Sequence, residues 1–136
     1  MILSDYQALL ARIGYETETL DVSAGRLLLR RANLNYILEH NNENDPYYFR
    51  FVLPNVVDTS DGINVIEDIV NTFNVTFKVT KIIHQGTQYH IVAEQYVFDY
   101  TTLEPLINRV ISIMSEELNQ FHQQLILLNN GNSERR

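Results

Sequence analysis

Apolar positions in this chain recur in two rhythms. Tyr6, Leu9, Leu10 and Ile13 fall at i, i+3, i+4 and i+7, the spacing of one face of a short helix. Ser4 and Gln7 are spaced as a capping box at its start, and Gly14 stands where a C′ glycine belongs. Ile63, Ile66, Ile69, Val70 and Phe73 mark the inner face of a second helix, with Glu67, Asp68 and Asn71 outside and Asn74 at its end. Leu106, Val110, Ile113, Met114, Leu118, Phe121, Leu125 and Leu128 run down one stripe of a third helix over 102–128. Thr101 and Glu104 are spaced as its capping box, and Pro105 is tolerated in its first turn. That helix would be about 40 Å long. A domain of this size has a radius of gyration of roughly 14 Å, so the far end is expected to overhang.

Between these helices the rhythm changes to two. Leu34–His40 and Tyr47–Leu53 are rich in β-branched and aromatic residues and flank a run of polar turn-formers, which predicts a hairpin with strands near 34–40 and 47–53. Pro46 and Pro54 bracket the second strand at its ends, where a missing N–H does least damage. Arg26–Arg31 is read as a further strand after the Ser23-Ala-Gly25 turn, while Glu16–Val22 is left open. Val56–Gly62 closes this sheet segment and supplies candidate helix caps. Thr76–Ile83 and Thr87–Phe98 form a second hairpin about His84-Gln-Gly86. The predicted fold is α+β: an antiparallel twisted sheet with helices on one face, in the order α-β-β-β-α-β-β-α. The expectation is one domain over 1–128 with a polar tail at 129–136.

Alternation also predicts a surface. If Phe49, Phe51 and Leu53 face the helices, Tyr48, Arg50 and Val52 face away. By the same parity Ile37, Ile82, Val92 and Tyr96 are expected to share that outward face. Aromatic and aliphatic side chains mixed with arginine are the composition of an interaction surface, so these seven residues are the candidate protein-binding set. Single apolar residues on an exposed sheet are also ordinary, and only their coincidence on one face favours an interface.

Composition narrows the function classes. There is no cysteine, which removes disulfide frameworks, thiolate zinc sites and cysteine nucleophiles together. The formal net charge is −7, and the adjacent arginine pairs, Arg30-Arg31 and Arg135-Arg136, neutralise too few phosphates for nucleic acid to be an expected partner. No run of eighteen apolar residues is present, and the first residues lack a basic n-region and a cleavage site. A cytoplasmic location away from membranes is therefore expected.

Candidate chemistry is sparse. Asn41, Glu43 and Asp45, and again Asp58, Asp61 and Gly62, superficially resemble calcium loops, but neither fits the twelve-residue pattern. Turn and cap chemistry accounts for both. His40, His84, His90 and His122 bring no set of three or four converging ligands, so surface or strand-edge positions are expected for them and no metal or other cofactor. His90 and Glu94 lie two apart on one strand and form a conceivable acid–base pair. They define the alternative reading, a small ligand-binding or enzymatic domain with a pocket between the sheet and the last helix. No nucleophile motif or phosphate loop accompanies them.

The stretch Asp45-Pro-Tyr-Tyr-Phe-Arg-Phe-Val-Leu-Pro-Asn55, followed by a helix and a second hairpin, resembles YbjN-type domains. The element order resembles the type III secretion chaperone-like fold that those domains share, over roughly residues 4–122. The resemblance implies a bacterial, non-enzymatic protein-binding module of chaperone-like or regulatory type. YbjN-type domains are linked to sensory or regulatory roles, and secretion chaperones of this fold are homodimers that hold a partly unfolded segment of another protein. No individual binding residue carries over from either.

Overall fold

The computed structural model describes residues 2–41, 43, 45–58 and 63–134. The elements are α1 (Leu3–Arg12), β1 (Glu16–Asp21), β2 (Arg26–Arg31), β3 (Leu34–Glu39), β4 (Tyr48–Asp58), α2 (Ile63–Thr76), β5 (Thr80–Gln85), β6 (Gln88–Tyr96) and α3 (Leu103–Glu134). The fold is α+β, as the two rhythms predict, and the stretch left open, Glu16–Asp21, forms an edge strand. All neighbouring strands are antiparallel, in the order β1-β2-β3-β4-β6-β5.

All three helices pack on one face. Tyr6 and Leu10 of α1, Ile66, Val70 and Phe73 of α2, and Leu103, Ile107, Val110, Met114 and Phe121 of α3 join a single core. From the sheet that core takes Leu27, Leu29, Tyr36, Leu38, Phe49, Phe51, Leu53, Ile82, Tyr89, Ile91 and Ala93. Every second strand residue points inward, and the residues between form a face that no helix covers.

Local chemistry moves several boundaries. α1 starts at Leu3, ahead of Ser4, and the Asp5 carboxylate accepts the Ile2 N–H at 2.9 Å in place of a Ser4–Gln7 capping box. Its end is as read: Gly14, at φ 99°, follows the last turn, with Gly14 N–H donating to Ala11 and Tyr15 N–H to Leu10. Thr101 does not cap α3: it lies in a turn, ahead of the helix, that Asp99 caps, the Asp99 carboxylate accepting the Thr101 N–H at 3.0 Å. A short 3₁₀ turn, Tyr100–Thr102, leads into the helix. Residues 129–134, expected as a tail, continue α3, which at 32 residues is about 48 Å long.

Pro54 does not end its strand. β4 runs on to Asp58 through an irregularity between Leu53 and Val57, and Asn55 there takes a left-handed φ of 56°. A bulge frees the N–H that a regular ladder would require, which is why proline is accepted inside a strand flanked on both sides. α2 runs to Thr76, beyond Asn74, and residues 77–79 bend before β5 begins at Thr80. The Asp58–Asp61–Gly62 motif falls partly outside the described residues.

Candidate functional site

Strand register arranges the uncovered face in rows across the sheet. Arg26 pairs with Glu39, Glu39 with Arg50 and Arg50 with Glu94, a line of alternating charge over β2, β3, β4 and β6. Two residues along each strand a second row runs Glu18, Leu28, Ile37, Val52, Val92, Lys81. Its centre is aliphatic and its ends carry opposite charges. On the other side of the charged row, Tyr48 pairs with Tyr96.

The charged row is already organised within one chain. Glu39 receives Arg50 through Nε at 2.8 Å and Nη2 at 2.5 Å, and Arg26 Nε at 3.2 Å. The row continues on β1 to Asp21, which pairs with Arg26, so with Glu94 included its three acids and two bases sum to −1 in a chain of net charge −7. Burial above all, and then the neighbouring Glu94 carboxylate and its hydrogen bond, hold the Tyr48 phenol above its ordinary pKa.

Tyr48 and Tyr96 belong to a larger aromatic cluster. Their ring centroids are 5.4 Å apart, Tyr96 and Phe98 lie nearly parallel at 6.3 Å, and Phe98 meets Tyr47 at 5.2 Å. Tyr47 is 43% exposed, Tyr96 58% and Phe98 75%. Sequence reasoning missed Tyr47 and Phe98. Continuing the alternation past Tyr96 reaches Phe98; Tyr47 has the opposite parity and carried no signal.

Of the seven residues predicted to share the face, Ile37, Tyr48, Arg50, Val52, Val92 and Tyr96 lie on it. Ile82 does not. It pairs with Ile91, is 3% exposed and belongs to the helix-covered core. Its neighbours Lys81 and Ile83 take the outward positions. The error is one of phase: 77–79 is a bend, so alternation counted from Phe77 and Val79 starts on the wrong parity.

His90 and Glu94 also lie on the uncovered face, opposite α3, so they do not line a pocket between the sheet and the last helix. His90 Nδ1 accepts the Asn55 N–H at 3.0 Å, satisfying the β4 bulge. Burial first, and Arg50 second, lower its pKa. From the other face His122 Nε2 donates to the Val56 carbonyl at 2.9 Å. His40, expected near the surface, is buried: its Nδ1 donates to the Tyr48 carbonyl at 2.9 Å and its ring meets Tyr6 at 4.6 Å. Three of the four histidines therefore hold the backbone of β4. The fourth, His84, stacks on Tyr89 at 4.4 Å and lies 3.4 Å from Glu67. Among the described residues no group of three or more histidines and carboxylates could hold a metal ion, and no helix is long and apolar enough to cross a membrane.

The two sheet edges are unequal. On β5 the Asn74 side chain donates to the Ile82 carbonyl at 2.9 Å and accepts its N–H at 2.7 Å, so α2 occupies that edge. The β1 edge is uncovered and carries Glu16, Glu18 and Asp21, charges that disfavour added strands. Comparison with known proteins found no matching family model, no matching curated protein and no matching solved structure.

Proposed function

We propose that this chain is a non-enzymatic protein-binding module that acts as a dimer through the uncovered face of its sheet. The observation that carries the reading is the self-complementarity of the two rows. A two-fold axis along the strands, midway between β3 and β4, sets two copies face to face. It places Arg26 opposite Glu94 of the second copy and Glu39 opposite Arg50. The same axis sets Leu28 against Val92, Ile37 against Val52 and Glu18 against Lys81. One operator thus matches both rows, as an isologous interface requires. Near-balance of charge in the rows, −1 for the charged row, lets two copies of net charge −7 approach with little like-charge repulsion at the contact.

Size sets the expected strength. Six strands about 4.8 Å apart, each about six residues at 3.4 Å, make a face of roughly 500 Å². Two such faces bury about 1,000 Å², at the low end for a specific interface. Association in the micromolar range is the expectation. The chaperone-like or regulatory role implied by the family resemblance adds a further protein partner, for which the exposed ring cluster at Tyr47, Tyr96 and Phe98 is the adjoining surface. A cytoplasmic, bacterial setting belongs to the same proposal.

Sedimentation velocity from about one to several hundred micromolar tests the dimer. The wild-type chain should show concentration-dependent association that Arg26→Glu weakens at least tenfold, since it sets glutamate against Glu94 of the second copy. A chain that stays monomeric throughout contradicts the proposal.

A further inference from the structure

A second site lies on the opposite side of the molecule. A cleft of about 370 Å³ opens where the end of α1, the β2–β3 turn and the middle of α3 meet. Its volume is within the range of small-molecule pockets. Polar groups converge there from three separate parts of the chain: Tyr15 after α1, Arg31 at the end of β2, and Asn108, Ser112 and Ser115 along successive turns of α3. Ile13, Leu34 and Ile111 supply an apolar wall.

Two features of this cleft call for a ligand. Arg31 makes no ion pair among the described residues, although the chain carries seventeen carboxylate side chains. Its guanidinium instead lies over the Tyr15 ring, 4.9 Å from the centroid. That contact holds the head group through its face and leaves its N–H edge available. The Tyr15 hydroxyl is buried and has no hydrogen-bond partner among the described residues. A buried hydroxyl without a partner costs free energy that an acceptor in the cleft would recover.

We infer that this cleft binds a small monocarboxylate with a short apolar body. A single guanidinium with a free edge matches one carboxylate in bidentate fashion. No second cation lines the cleft, so a doubly charged phosphate would be left half-neutralised. The hydroxyl of Tyr15 donates to the same carboxylate, Asn108 and Ser112 complete its polar surroundings, and the aliphatic wall takes the chain of the ligand. The site does not rest on self-association, since none of its residues lies in the paired rows.

The test titrates sodium butyrate, hexanoate and benzoate into the protein at constant ionic strength, with sodium chloride and butanol as controls. Binding is followed by calorimetry and by two-dimensional amide NMR. Saturable binding at one site is expected for the carboxylates and not for chloride or butanol, with shifts confined to residues around 13–15, 31–36 and 108–115. Arg31→Gln should weaken it by about ten- to a hundred-fold and Tyr15→Phe by a smaller factor, while Arg31→Lys should retain part of it. Arg31 is exposed, so its variants are expected to fold, which the same spectra verify. The inference is overturned if none of the three carboxylates binds more tightly than about 10 mM. It is equally overturned if butanol competes equally, or if Arg31→Gln binds as the wild type does. Arg26→Glu should leave the site unchanged, so failure here and failure of the dimer remain distinguishable.

Discussion

At the scale of single residues, two titratable groups, the half-buried His90 and the buried Glu117, govern stability in opposite pH windows. His90 accepts the Asn55 N–H through Nδ1, so its neutral form is the structural one, and its pKa in the fold lies below the ordinary 6.5. Above pH 6.5 it is neutral in both states. As pH falls below 6.5 the unfolded chain takes up the proton first, and stability is lost through the lower folded pKa. His90→Ala should cost about 1 kcal/mol at neutral pH and flatten that acid limb in urea-denaturation profiles. Glu117 behaves in the reverse sense. It is fully buried on α3, accepts the Thr80 hydroxyl through Oε2, and its Oε1 has no partner among the described residues. Burial raises its pKa above the ordinary 4.5, against the hydrogen bond from Thr80 and the nearby charge of Lys81. The folded chain therefore keeps the proton to higher pH, and the stability this group contributes falls as pH rises from 4.5 through the folded value. Glu117→Gln removes the charge and keeps the shape. It should raise stability at pH 8 by roughly 1 kcal/mol and leave it little changed at pH 4.

At the scale of elements, the β1–β2 turn is the least forgiving point. Gly25 has φ +70°, and a Cβ there would stand 1.9 Å from the His40 carbonyl oxygen, which belongs to backbone that cannot yield cheaply. That approach is used: the His40 N–H donates to the Gly25 carbonyl at 2.8 Å. Gly25→Ala should destabilise by at least about 2 kcal/mol in equilibrium unfolding, far more than a typical turn substitution. Elements were legible in sequence where one periodicity ran unbroken. β3, β4 and β6 were assigned to the correct faces because Phe49 and Phe51 anchor the parity of the hairpin. β5 was not, because a helix that overran Asn74 and a bend at 77–79 reset the count before Ile82. Pro54 was read as a terminator because proline's usual meaning in a strand is an end. Only the bulge, satisfied by His90 from 35 residues away, makes an interior proline acceptable. Glu117, an acid in an aliphatic stripe, gave no sign in the sequence of its partner Thr80.

At the scale of the whole molecule, helices on one side leave six strands bare on the other. Which residues of β3, β4 and β6 share that bare side followed from alternation; the phase of β5, and how the rows line up across strands, did not. Register is set by turn geometry and bulges, and only register turns scattered charges into rows that a two-fold axis can match. The carboxylate cleft was likewise hidden, because it joins segments around 13–15 and 31–36 to one around 108–115, across most of the chain. The central claim is the paired geometry of the sheet face, and mixing two variants tests it most directly. Arg26→Glu and Glu94→Arg each set like charges together in a homodimer, but in a heterodimer each altered residue meets the altered residue of the other copy. Each variant alone should sediment as a monomer at about 100 μM, and an equimolar mixture should regain the wild-type dimer. If the mixture stays monomeric while the wild type dimerises, or if either variant alone dimerises as the wild type does, the proposed pairing of the sheet faces is contradicted.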